Sequence, residues 1–255
     1  MSAATVSPVR LTWLHLRYQF LETVRIPIAV LGNLLFPALS MFFFVVPQEQ
    51  VARNPVVATM AVAGLGLFAV MSASLFTYGL GVAEDRQLPF DPFVRSLPAG
   101  PGPRMVARIG NGAIFSLFGL VPLVLIGWLF TDARVTAVQL VAGVGTILVA
   151  SVPFVLLGMA VGYSLSAKAA LPVVQVVLFP LAFGGGLFLP PTMFPAWLDA
   201  VSLATPTRAA RDVLVDALTG VGAPGTAWPV LLGWTALFAA LAVAAYRRDE
   251  GRRFR

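Results

Sequence analysis

Cysteine is absent from the chain, and histidine and lysine occur once each, as His15 and Lys168. Without cysteine there are no disulfides and no thiolate metal sites. One histidine alone does not make a metal-ligand set either. A P-loop needs a glycine-rich turn ending in Lys-Ser or Lys-Thr, but the single lysine stands in Ser-Ala-Lys-Ala-Ala. The chain therefore carries no P-loop of its own. Charge is scarce too: 11% of residues are charged and 58% are hydrophobic, where a soluble domain carries roughly 25% charged residues. Mean hydropathy is +0.88. So few charges cannot clothe a surface in water.

Six apolar stretches have about the 20 residues a helix needs to cross the hydrocarbon of a bilayer. They are 28–46, 57–81, 109–130, 135–163, 169–189 and 226–246, and none contains Asp, Glu, Lys, Arg or His. The expected fold is an all-α membrane protein with six transmembrane helices, forming one transmembrane domain over 1–255. The fourth stretch is longer than a span requires, so it is expected to tilt or to begin in an interfacial turn around Gln139. Ten-residue alternating segments of a β-barrel are missing, and no internal repeat is evident. No small-x-small cleavage site follows the first apolar run, so that run is expected to be retained.

Orientation follows from the cations. Arg10, Arg17, Arg25, Arg86, Arg95, Arg104, Arg108, Lys168, Arg247, Arg248, Arg252, Arg253 and Arg255 fall on one side of the six spans, and Arg53, Arg134, Arg208 and Arg211 on the other. Basic residues mark the cytoplasmic side, so both termini are expected in the cytoplasm of a multi-pass protein of the cell membrane. The formal charge of +6 is accounted for by this bias and calls for no nucleic acid.

Three segments between the spans have a character of their own. Residues 8–25 read as an N-terminal interfacial amphipathic helix on the lipid bilayer. Ser7 is placed to cap it, Pro8 suits its first turn and Pro27 stops it. Val9, Trp13, Leu16, Phe20 and Val24 repeat at helical spacing, and Arg10, Arg17 and Arg25 can meet headgroups. The cytoplasmic loop 82–108 mixes Glu84, Asp85 and Arg86 with Phe90 and Phe93. Its many prolines rule out one long helix. The extracytoplasmic segment 190–225 is expected to be a re-entrant loop, a short helical hairpin between the fifth and sixth spans, and implies two short helices. One opens at Pro195. The other is capped by Thr205, starts at Pro206, pairs Arg208 with Asp212 and stops at Gly220.

At this segment the chain resembles the permease, the membrane subunit of an ABC-2 type transporter. Gly186, Pro190, Pro195-Ala196-Trp197-Leu198, Pro206-Thr207 and Gly220 fit that family's pattern in order and spacing. Six spans, an amphipathic helix before the first, and a Glu-containing loop after the second with a Leu97-Pro98 step agree as well. The loop after span two is richer in proline than is usual for the family. The resemblance implies a second permease subunit, identical or similar, and cytoplasmic ABC ATPase subunits docked through 82–108. It also implies an ATP-driven exporter of drugs, lipids, glycolipids or polysaccharides, with a path lined mainly by spans two and five. ATP and magnesium would then sit on the partner ATPase, and no cofactor on this chain.

Within the spans the polarity is neutral. Met71, Ser74 and Tyr78 lie on one stripe of span two, and Gln175 and Phe179 on one stripe of span five. Small and hydroxyl residues also pack helices together; as a set on these two spans they suit a substrate path for an amphipathic, largely apolar molecule. Glu84, Asp85, Arg86, Phe90 and Phe93 are the candidate contacts for ATPase coupling. Gly186, Pro195, Trp197 and Pro206 are the candidate extracytoplasmic gate. No carboxylate or histidine lies within a span, which argues against an ion-coupled carrier. The chain is expected to be no enzyme by itself. The alternative reading is a non-transporting assembly factor or membrane anchor of another complex.

Overall fold

A computed structural model describes residues 7–25, 35–88 and 102–253. Among them the regular elements are all helices. We label these α1 Pro8–Val24, α2 Leu35–Val45, α3 Glu49–Ala52, α4 Pro55–Asp85, α5 Gly102–Phe130 and α6 Ala137–Ser164. They continue with α7 Ala167–Gly184, α8 Ala196–Ser202, α9 Pro206–Thr219 and α10 Ala227–Arg253. Five of them, α4, α5, α6, α7 and α10, are long and apolar enough to cross a membrane. The first of the six expected spans, 28–46, begins on residues outside the described set, and its described part is the shorter apolar helix α2.

Local chemistry sets the helix ends. Asn54 Oδ1 accepts from the amides of Val56 and Val57 at 3.1 and 3.2 Å ahead of Pro55. The asparagine thus satisfies donors that a helix start leaves free, while the proline has none to lose. Thr136 and Gln139 form a reciprocal capping box, so α6 begins as regular helix at Ala137 and Gln139 belongs to its cap, not to a separate interfacial turn. α7 stops at Gly184, five residues before the expected end of the fifth span. Gly186 has φ +76°, a left-handed conformation that turns the chain at little cost only for glycine.

α4 is the centre of the bundle. Of its most apolar stretch 61% is buried, against 22–28% in the other four long helices. It packs on α5, α6, α7 and α9. The main core gathers Leu67, Phe68, Met71 and Leu75 of α4 with Ile147 and Phe154 of α6, Val174 and Leu178 of α7, and Leu231 of α10. Ala209, Ala210, Val213 and Leu214 of α9 belong to the same cluster. α9 is therefore not a surface loop helix: it turns back among the long helices.

α1 lies along the start of α5. Phe20 stacks near Phe115 with ring centroids 5.3 Å apart, and Asn111 Nδ2 donates to Thr23 Oγ1 at 3.2 Å. Val9, Trp13 and Val24 of the expected apolar stripe stay exposed. The side chain of Ser7 does not make the expected cap bond; its carbonyl accepts the first helical bond, from Leu11 N–H at 3.1 Å.

Candidate functional site

Polar contacts inside the bundle concentrate at its two ends. At the arginine-rich end, the last turn of α4 is tied to three neighbours. Asp85 pairs with Arg108 of α5, and Arg86 pairs with Asp249 of α10. Arg86 Nη1 also donates to the carbonyls of Gly162 and Leu165 at 2.7 and 3.1 Å. These are at the C-terminal end of α6, where free carbonyls attract a cation. A cavity of about 100 Å³ opens beside this clamp, lined by Arg86, Tyr163, Ser164, Ala245, Arg248 and Asp249. Of the residues expected to contact an ATPase, Asp85 and Arg86 are thus committed to contacts within the chain. Glu84 is exposed. Phe90 and Phe93 lie outside the described residues.

At the opposite end α9 carries a buried ion cluster. Arg208 donates to Asp212 at 2.8 Å and to Asp199 of α8 at 2.9 Å. Arg211 donates to Asp212 at 3.0 Å. Two cations thus meet two carboxylates, which is what makes burial of this helix tolerable. Burial lowers the affinity of the Arg211 guanidinium for its proton, and the neighbouring Asp212 opposes that effect. Thr205 Oγ1 accepts from Arg208 N at 3.2 Å, Pro206 opens the helix, and Gly220 closes it at φ +69°. Packing is close at the start: a Cβ on Gly185 would lie 2.4 Å from Cβ of Thr207.

The proposed gate residues divide. Gly186 and the buried Pro206 shape the two bends. Pro195 stands as N-cap of α8, and Trp197 is 69% exposed on it. Together with Met193 and Val201, also exposed, Trp197 forms an apolar surface above α7.

The path residues divide more sharply. Met71, Ser74 and Tyr78 are buried within this single chain. The Ser74 hydroxyl returns to Val70 O at 2.7 Å, and Tyr78 OH donates to Arg108 O at 3.1 Å. They face the interior because α4 is surrounded by other helices of the chain. Gln175 and Phe179, by contrast, lie on the outer face of α7 with Val176 and Phe183. Among the described residues no group of three His, Asp or Glu is placed to hold a metal ion.

Two things were not foreseen from the sequence: the burial of Arg211, and the clamp formed by Arg86 with Asp249. The first had a signal, since Arg211 sits at i+3 from Arg208 beside the expected Asp212. The second joins residues 163 positions apart and had none.

These features define a multi-pass helical membrane protein in which a helix between the last two long spans turns back into the bundle. The sequence matches the ABC-2 type transporter family over residues 10–219, and the chain belongs to that family. It is also similar to the Bacillus subtilis (strain 168) protein named "Putative transport permease YvfS". The two are 22% identical over 230 residues, covering 87% of this chain and 91% of that one.

Proposed function

We propose that this chain is the membrane-spanning permease subunit of an ATP-driven exporter, working as a pair of permeases with separate ATPase subunits on its arginine-rich, cytoplasmic end. The observation that carries the reading is the family match over most of the chain, in a sequence without a P-loop. A permease of this kind needs its ATPase from another chain.

The exposed Gln175 supports the placement of the path. A carboxamide in the middle of an apolar helix is costly against lipid, where nothing satisfies its hydrogen bonds. The proposed path therefore runs along Gln175 and Phe179 of α7, where the second permease covers it. Met71, Ser74 and Tyr78 stand one layer behind and join the path only when α4 parts from its neighbours. Trp197 and its apolar surface form the outer rim, with Gly186, Pro195 and Pro206 as its bends. An amphipathic or hydrophobic substrate fits such a lining. On the other side Glu84, with Phe90 and Phe93 of the following loop, offers the contact for the ATPase, and Asp85 and Arg86 pass motion into the bundle.

The test is purification of the tagged chain from its native membrane, followed by mass spectrometry of what accompanies it. An ATPase with a P-loop, at equal stoichiometry to the permease, is the expected companion. Recovery of the intact chain with a different, non-ATPase complex would favour the anchor reading instead.

A further inference from the structure

α4 is not one continuous α-helix. Residues Phe76–Leu80 form a π-helical turn, in which Gly81 N–H reaches back five residues to Phe76 O. Such a turn holds one residue more than an α-helical turn, is rare, and is retained mainly where it serves a purpose. This one occurs where the bundle is most closely fitted. A Cβ on Gly162 of α6 would lie 2.4 Å from Tyr78 O, and one on Gly158 would lie 3.0 Å from Ser74 O. Gly158 and Gly162 are four apart, so α6 presents a smooth groove to the turn. A Cβ on Gly79 would meet Val174 of α7 at 2.8 Å. On a third side Tyr78 OH reaches the backbone of α5 at Arg108.

Beyond the turn only a short segment remains, Gly81–Asp85 and then Arg86, and both of its last two residues are in ion pairs. Arg108 is engaged twice: its carbonyl by Tyr78 OH and its side chain by Asp85. The segment has a hinge at one end and two charge contacts at the other, with glycines where it would slide.

We propose that Phe76–Arg86 is a two-state rotary joint at the end of α4. In the observed state the π turn holds the extra residue and the pairs Asp85–Arg108 and Arg86–Asp249 fix the register. In the other state the pairs open, the extra residue passes out of the turn and α4 becomes regular. At 3.6 residues per turn, everything after the hinge then rotates by about 100° and shifts by about 1.5 Å along the axis. The part of α4 before residue 76 keeps its place, while the buried Tyr78, Val82 and Ala83 turn with the segment and the Tyr78–Arg108 bond opens with the ion pairs. A push at the arginine-rich end thus becomes a discrete register change, which is the kind of bistable element that energetic coupling between distant sites needs. Its use in transport rests on the export reading above; the joint itself does not.

The chain has no cysteine, so introduced pairs carry spin labels without background. Labels at Gln87→Cys and Lys168→Cys, both exposed, report the segment against the start of α7. In lipid nanodiscs the otherwise unchanged permease should give one narrow distance by pulsed electron resonance. Neutralising the clamp with Arg86→Met and Asp249→Asn should split or shift it, and so should Gly162→Ala. Gly145→Ala, on the same helix with open space around it, should not. One unchanged distance in both the clamp and Gly162 variants, with helix content and size-exclusion profile retained, overturns the joint. If Gly162→Ala fails to fold, the clamp variant decides. These measurements need neither ATPase nor substrate. With the joint established, a distance that ignores ATP in the assembled complex would overturn its role in export alone.

Discussion

Asp212→Ala is the sharpest test of the claim that α9 is inside the bundle. Asp212 is the shared acceptor of Arg208 and Arg211, and the side chains of all three are about one-tenth exposed. Its removal leaves Arg211 buried beside no carboxylate, while Arg208 keeps Asp199. Breaking a buried pair by deleting one partner costs about 3–5 kcal/mol, because the remaining charge stays desolvated. For a chain of this size each kcal/mol is worth about 2–4 °C in Tm, so the drop should lie between roughly 6 and 20 °C. The assay is thermal unfolding of the purified protein in detergent, followed by size-exclusion fluorescence. Asp216→Ala provides the contrast: among the described residues its carboxylate accepts only from the exposed Gly222 N–H at 3.0 Å, a bond worth about 1 kcal/mol. Removing both charges in Arg211→Met with Asp212→Leu should be milder than Asp212→Ala alone, since an apolar pair of similar volume replaces a buried ion pair at little cost. Equal, small effects of Asp212→Ala and Asp216→Ala would refute the reasoning and put α9 on a wet surface.

Three further outcomes are expected. Gly186→Ala should destabilise by about 1–3 kcal/mol, because its backbone is left-handed and the new Cβ would sit 2.8 Å from Pro191 Cγ; Gly184→Ala, with open space around it, should stay within about 0.5 kcal/mol by the same thermal assay. Glu84→Ala should leave the melting temperature unchanged and lower substrate-stimulated ATP hydrolysis in the complex; a normal rate would remove Glu84 from the coupling contact. Gln175→Leu should leave the isolated chain equally stable, since its side chain is exposed, but weaken pairing of two permeases in crosslinking; an unchanged yield of crosslinked pairs would place the interface elsewhere.

What was legible in the sequence is what fits within one helical turn. Thr205, Pro206, the Arg208–Asp212 pair and Gly220 define α9 within sixteen consecutive residues, and each does locally what its chemistry allows. The long helices follow from runs of apolar residues in the same way. The segment reads as a re-entrant loop, but which of the α9 side chains are enclosed was not legible. Its polar residues look like those of a loop helix, and only the long-range fit of Ala209, Ala210 and Val213 among α4, α6 and α10 shows that its charges are enclosed. The same limit explains Met71, Ser74 and Tyr78. Their helical spacing is correct, but a stripe on a helix does not say what lies opposite. Here the answer is other helices of the same chain.

Tyr78 shows why a polar residue in a span need not face a substrate. Its ring fits only because residue 112 of α5 is glycine, where a Cβ would meet the phenol, and its hydroxyl finds a backbone carbonyl of the same helix at Arg108. A phenol that satisfies its one donor inside the bundle has no need of a ligand. A carboxamide exposed at mid-span, as at Gln175, has both a donor and an acceptor to satisfy and no water nearby to do it. Between two polar residues in apolar helices, the one unsatisfied within its own chain is the better guide to where another molecule must come. That criterion favours α7 over α4 as the face of the proposed path, with Gln175 and its exposed neighbours as its candidate contacts.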